Sequence, residues 1–155
     1  MSLLEDHLKW LNLHQEATLE PERPIVDPHH HFWPGEQHYL LEDLWLDTHS
    51  GHNIKKTVFI ECSQEFLKTG DTDFAPVGET IFVKKISDEA RKEKHKTQIE
   101  GIVGHVNLLI GPEKTHEVLT SHLKEGGNLF KGIRHAGGWD PVSYTHLRAH
   151  ETFHD

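Results

Sequence analysis

Ile25-Val26-Asp27-Pro28-His29-His30-His31-Phe32-Trp33 sets three histidines in a row at the end of a short apolar run. In a β-strand successive side chains alternate, so His29 and His31 share one face while His30 takes the other, toward a helix layer. Two neutral imidazoles on one face make a pincer for a divalent metal, zinc foremost, that needs one or two further His or carboxylate ligands. An ion held there polarises a carbonyl and lowers the pKa of water toward ~7, which suits hydrolytic attack on a carbonyl. Asp27 falls on the same face. It either accepts a hydrogen bond from one of the two histidines or orients backbone at the strand start.

Other ionisable residues fall where further apolar runs end. Thr57-Val58-Phe59-Ile60-Glu61-Cys62 finishes on Glu61, which suits metal ligation, pairing with an arginine, or accepting a hydrogen bond from substrate. Ile99 to Val106 carries His105 near its end, and Phe130-Lys131-Gly132-Ile133-Arg134-His135 ends on two ionisable groups. The planar fork of Arg134 suits a substrate carboxylate; the competing reading is an ion pair with Glu61. His105 and His135 suit substrate contact or proton transfer. Cys62, out of phase with Glu61, reads as a packed apolar residue rather than a nucleophile. The chain has sixteen histidines; most read as separate surface residues, so position, not residue type, singles out these few.

The elements that must position these groups alternate in type. Leu3, Leu4, Leu8 and Leu11 predict an amphipathic helix from Leu3 to about Ala17, ended by Pro21 and Pro24. After the first strand, Pro34-Gly35 breaks the chain and Leu40 to Leu46 predicts a short helix. Near-continuous apolar character in the second run predicts a strand covered on both faces. A loop from Lys68 to Asp73 follows it. Ile81, Phe82, Ile86 and Ala90 mark one face of a helix from about Gly78 to Lys94. Gly111-Pro112 opens a third helix and Gly126-Gly127 closes it, with Val118, Leu119, His122 and Leu123 inward. Strands near Ile25, Thr57, Ile99 and Phe130 separated by helical patterns predict βαβ units and a parallel sheet. Parallel α/β folds place active sites at the carboxyl ends of their strands, where His29, His31, Glu61, His105, Arg134 and His135 all fall.

The totals bound the class. One hundred and fifty-five residues suit one modest domain, and 25 acidic against 16 basic side chains give a net charge of −9. That charge argues against a general nucleic-acid or anionic-membrane binder and leaves a small molecule as the expected partner. The single cysteine excludes an internal disulfide framework and fits a reducing compartment. No apolar run approaches the ~18 residues that span a bilayer, and Glu5, Asp6, His7 and Lys9 stand where a signal peptide would be apolar. A cytoplasmic protein is expected.

Asp27-Pro28-His29-His30-His31-Phe32-Trp33, Val58-Phe59-Ile60-Glu61-Cys62, Pro76-Val77-Gly78-Glu79-Thr80, Gly101-Ile102-Val103-Gly104-His105 and Gly132-Ile133-Arg134-His135 together resemble the amidohydrolase-related family of metal-dependent hydrolases. The nearest branch is that of sugar-lactone and sulfomuconolactone hydrolases, and the resemblance runs from Trp10 to about Pro141. It implies a (β/α)8 TIM barrel with His29 and His31 as metal ligands, further histidines from strands five and six, and an aspartate base from strand eight. Some lactonases of the branch work without a tightly bound metal, through histidines and arginines.

A whole barrel takes ~250 residues, so the resemblance implies a truncated barrel of about the first four βα units: a lead-in over 1–24 and the amino-terminal half-barrel over 25–141. Residues 142–155, beginning Val142-Ser143-Tyr144-Thr145-His146, resemble the conceptual translation of a sequencing adapter and are set apart as an artefactual tail. His146, His150 and His154 are accordingly not read as a metal site. The expected activity of the intact product is lactone hydrolysis, with an amidase or decarboxylase on the same scaffold as the alternative. The fragment itself is expected to be inactive and to self-associate through open strand edges. A reading of another class is a non-catalytic, histidine-rich metal-binding domain.

Overall fold

A computed structural model describes residues 9–10, 13, 16–36 and 38–135. Most of the expected Leu3–Ala17 helix, and everything after His135, lies outside them. The described chain is an α/β fold whose strands are β1 (Pro24–His30), β2 (Asn53–Ile60), β3 (Gln98–His105) and β4 (Phe130–Arg134). Between them run α1 (Leu41–Thr48), α2 (Val77–Ala90) and α3 (Pro112–Gly126). All neighbouring strands are parallel and the sheet order is β1-β2-β3-β4. Right-handed crossovers between successive strands put all three helices on one face of such a sheet.

The core shows that face. Phe59, Ile99 and Ile102 from the middle strands are wholly buried with Leu44 of α1 and Val83 of α2, and Phe82, Ile86 and Leu119 pack against them. Phe32 stacks on Phe59 at 5.8 Å between ring centroids, closing the layer beneath the end of β1. A second cluster joins Val77, Val106 and Val118 where α2 and α3 meet the end of β3. The alternate residues Val58, Ile60 and Val103 are only half-buried, as expected of the sheet face that carries no helices. Among the described residues, no helix is long and apolar enough to cross a membrane.

Element boundaries differ from expectation in instructive places. β1 stops at His30, and Trp33 instead makes an isolated antiparallel bridge with Tyr39. β2 begins at Asn53 because Asn53, Ile54 and the exposed Lys56 pair with β1, and Lys56 with β3 as well. α2 ends at Ala90, and the charged residues beyond form turns. α3 runs as expected, but Leu123 is 55% exposed while Val118 and His122 are buried.

The start of α2 is pressed against the chain that follows β2. A Cβ on Gly78 would run into the Glu65 carbonyl and come within 2.6 Å of the Leu67 nitrogen, so only glycine fits without backbone movement. Gly132, in β4, has nothing within 4 Å of its would-be Cβ. Gly78→Ala should therefore lower stability by ~1–3 kcal/mol, read from the urea midpoint, while Gly132→Ala leaves the midpoint nearly unchanged.

Candidate functional site

Because the strands are parallel, their carboxyl ends lie along one edge, and all six singled-out residues fall there. His29 and His31 do converge: their Nε2 atoms stand 3.1 Å apart with the rings edge to face. His31 Nδ1 lies 2.8 Å from the Ile60 carbonyl oxygen, which can only accept, so Nδ1 carries the proton and Nε2 presents a lone pair. His30 points away into the core against Phe32 and Phe59. Burial pushes its pKa down to about 4, and neither ring nitrogen has a partner among the described residues.

Asp27 takes the second of its two expected roles. Its Oδ1 accepts from the His29 backbone N–H at 3.0 Å, a local turn that holds the peptide rather than an imidazole. The β1–β2 register pairs Asp27 with Thr57 and His30 with Phe59, so β1 carries one extra residue there. The alternation expected to align Asp27 with His29 and His31 does not run through this bulge. Beside the pincer opens a cavity of about 400 Å3 that also touches Trp33, Tyr39 and Asp47. Tyr39 donates to Asp47 Oδ2 at 2.7 Å, and burial, then that carboxylate, raises the tyrosine pKa.

The other strand ends form a second group. Arg134 Nε donates to Glu61 Oε1 at 2.7 Å and Nη2 to the Glu61 carbonyl oxygen at 2.6 Å, so the ion pair is the partnership realised here. Glu61 is buried and Arg134 remains 42% exposed at its side chain. His105 donates from Nδ1 to the Arg134 carbonyl at 3.1 Å, leaving Nε2 as a proton acceptor. His135 accepts the Leu108 N–H at Nδ1, 3.0 Å away, so in its neutral form Nε2 carries the proton. These two rings stand 5.5 Å apart with opposite tautomers. Neither Glu61, His105, Arg134 nor His135 lines the cavity beside the pincer. The two groups are linked through consecutive residues, Ile60 binding His31 and Glu61 binding Arg134.

His29 Nε2–H donates to His31 Nε2 across the 3.1 Å between them, and a metal ion would take the place of the shared proton. Nitrogens bound tetrahedrally to zinc at ~2.0–2.1 Å stand about 3.3 Å apart, close to the separation found. Among the described residues, no group of three or more His, Cys, Asp or Glu is placed to hold an ion, so the pincer has no third protein ligand there. Burial, with Glu79 nearby, pushes the Cys62 thiol up to about 12, which disfavours the thiolate a nucleophile needs.

Three buried polar residues beneath the edge carry no assigned role in the sequence reading, although Glu79 and Thr80 lie in one of the segments that carry the resemblance. Glu79 Oε1 accepts from the backbone N–H groups of Cys62 and Gln64 at 3.0 and 2.8 Å. Thr80 donates to His122 Nδ1 at 2.8 Å, and His122 Nε2 donates to the His105 carbonyl at 3.0 Å. The available signal was an ionisable or hydroxyl side chain at an inward helical position, in Glu79, Thr80 and His122. No protein-family model, curated protein or solved structure matches the chain.

Burial lowers the His122 pKa as well as that of His30. Both stay neutral in the fold where the unfolded chain takes up protons, near pH ~6.5. Protonation then favours unfolding, so the stability they contribute is full above that pH and is lost as pH falls below it. The urea midpoint should fall between pH 7.5 and 5, and more shallowly in His122→Gln, which does not titrate.

Proposed function

We propose that this chain is the amino-terminal half of an amidohydrolase-related (β/α)8 barrel whose intact form hydrolyses a lactone. The observation that carries the reading is the His29–His31 pincer, two converging Nε2 atoms with the His31 tautomer set by a backbone carbonyl. Sequential parallel strands with ionisable groups on one edge support it too, as do the outer edges of β1 and β4, which pair with no strand among the described residues. His29 and His31 would hold a divalent ion, zinc by the nature of the donors, which supplies Lewis acidity toward a carbonyl oxygen and toward water.

The remaining roles follow from proton positions. His105 Nε2 takes a proton and His135 Nε2–H gives one, an arrangement suited to moving a proton between attacking water and leaving alkoxide. The same pair can act where no metal is tightly held. Arg134, anchored by Glu61, keeps part of its guanidinium exposed for a carboxylate or developing oxyanion. An amide or a carboxylated substrate could use the same groups, which makes amide hydrolysis or decarboxylation the second outcome of a substrate panel. Among the described residues no third ligand joins the pincer, and the 155-residue chain alone is expected to be inactive and to self-associate.

Zinc added to this chain should bind one to one, followed by calorimetry, and His29→Ala with His31→Ala should abolish it. Binding that survives both substitutions favours the non-catalytic metal-binding domain. In the intact gene product, lactone turnover should fall ~10²–10⁴-fold in His105→Gln. Unchanged turnover would remove His105 from proton transfer.

A further inference from the structure

We propose that Glu79 and Thr80, adjacent in the first turn of α2, are positioning residues that fix the ends of β2 and β3 carrying Glu61 and His105. Both side chains are 1% exposed, and neither makes the bond its place in a helix would ordinarily give it. A glutamate at the third helical position usually turns back to the N–H of the residue capping the helix. Here the capping residue is Pro76, which has no N–H to offer. Glu79 reaches out of its helix instead, to the Cys62 and Gln64 amides. A helical threonine commonly bonds a carbonyl of its own preceding turn. Thr80 instead donates to His122 across the α2–α3 interface.

The two amides that Glu79 holds flank Ser63, whose φ is +62°, and Glu65 follows at +51°. Two left-handed residues that are not glycine persist only where their surroundings impose the conformation. The carboxylate does so from below, and the contact of Gly78 with residues 65–67 does so from the side. Glu61 enters this clamped segment with both its carboxylate and its carbonyl on Arg134.

On the neighbouring strand, His122 passes the anchor of Thr80 to the His105 carbonyl, and Phe130 stacks on its ring at 5.0 Å. Gly104 leaves room for that ring: a Cβ there would lie 3.0 Å from it. His105 in turn binds the Arg134 carbonyl. Two routes from consecutive residues therefore converge on Arg134, one through its side chain and one through its backbone. The relevance to catalysis rests on the hydrolase reading, whereas the positioning itself does not.

Hydrogen exchange read by mass spectrometry on the full 155-residue chain tests it, because peptide-level exchange tolerates self-association. Thr80→Val should make residues 104–108 exchange about tenfold faster with residues 61–67 unchanged; Thr80→Ser should restore the original rate. Glu79→Met should show the reverse pattern, and Glu79→Gln should restore it. Carbethoxylation of His105 relative to exposed His116 should rise in Thr80→Val alone. Equal acceleration of both segments, no local change, or no recovery in the conservative variants would overturn the proposal. Absence of lactone turnover in the intact product would overturn the hydrolase reading and leave this exchange pattern standing. If Glu79→Met does not fold, the Thr80 pair decides the matter.

Discussion

Parallel pairing between successive strands is the constraint from which the rest follows. Once β1, β2, β3 and β4 run the same way in order, every strand ends on one edge and every helix returns over one face. Residues far apart in the chain then become neighbours with no special device: Glu61 meets Arg134, and His105 meets His135. The same constraint leaves one face for the apolar core. Phe59, Ile99 and Ile102 fill it with residues from α1, α2 and α3.

That edge is polar and much of what lies under it is buried, so its hydrogen bonds have to be made inside the protein. An unmet buried donor or acceptor costs about 1–3 kcal/mol, more than a satisfied bond contributes. Most of the requirement is met locally: His122 has a partner at each nitrogen, and Glu79 has two backbone donors on one oxygen. Its other oxygen and both nitrogens of His30 have none among the described residues. Burial raises the Glu79 pKa in consequence, since its charged form is the costlier one there.

Much of the fold was legible because its punctuation was strong. Pro112 and Gly126-Gly127 bound α3 where expected, and all four apolar runs became strands. Boundaries failed where local composition and tertiary pairing disagreed. Lys55 and Lys56 disguised the first half of β2, and the lysines beyond Ala90 extended a helical pattern that the chain abandons. At the site, His30 does face away from His29 and His31, but β1 ends at His30 and bulges just before it, so the strand period did not carry back to Asp27. The choice between a free Arg134 and one paired with Glu61 could not be made from spacing, because 73 residues separate the two. Glu79 was missed because an acidic residue in a helix's first turn usually faces water and complements the helix dipole; its burial here depends on the segment folded over it.

Among the described residues each strand pairs only with its neighbours in sequence, and this bears on how the protein comes into being as it is synthesised. β1 and β2 can pair before β3 has left the ribosome, whereas α1 gains its anchor only when the chain reaches Thr97, whose carbonyl accepts from Trp45 Nε1. Closing such a connection costs little more for a long loop than for a short one. At every stage the last strand added offers its free edge to whatever emerges next, and for the described chain that strand is β4.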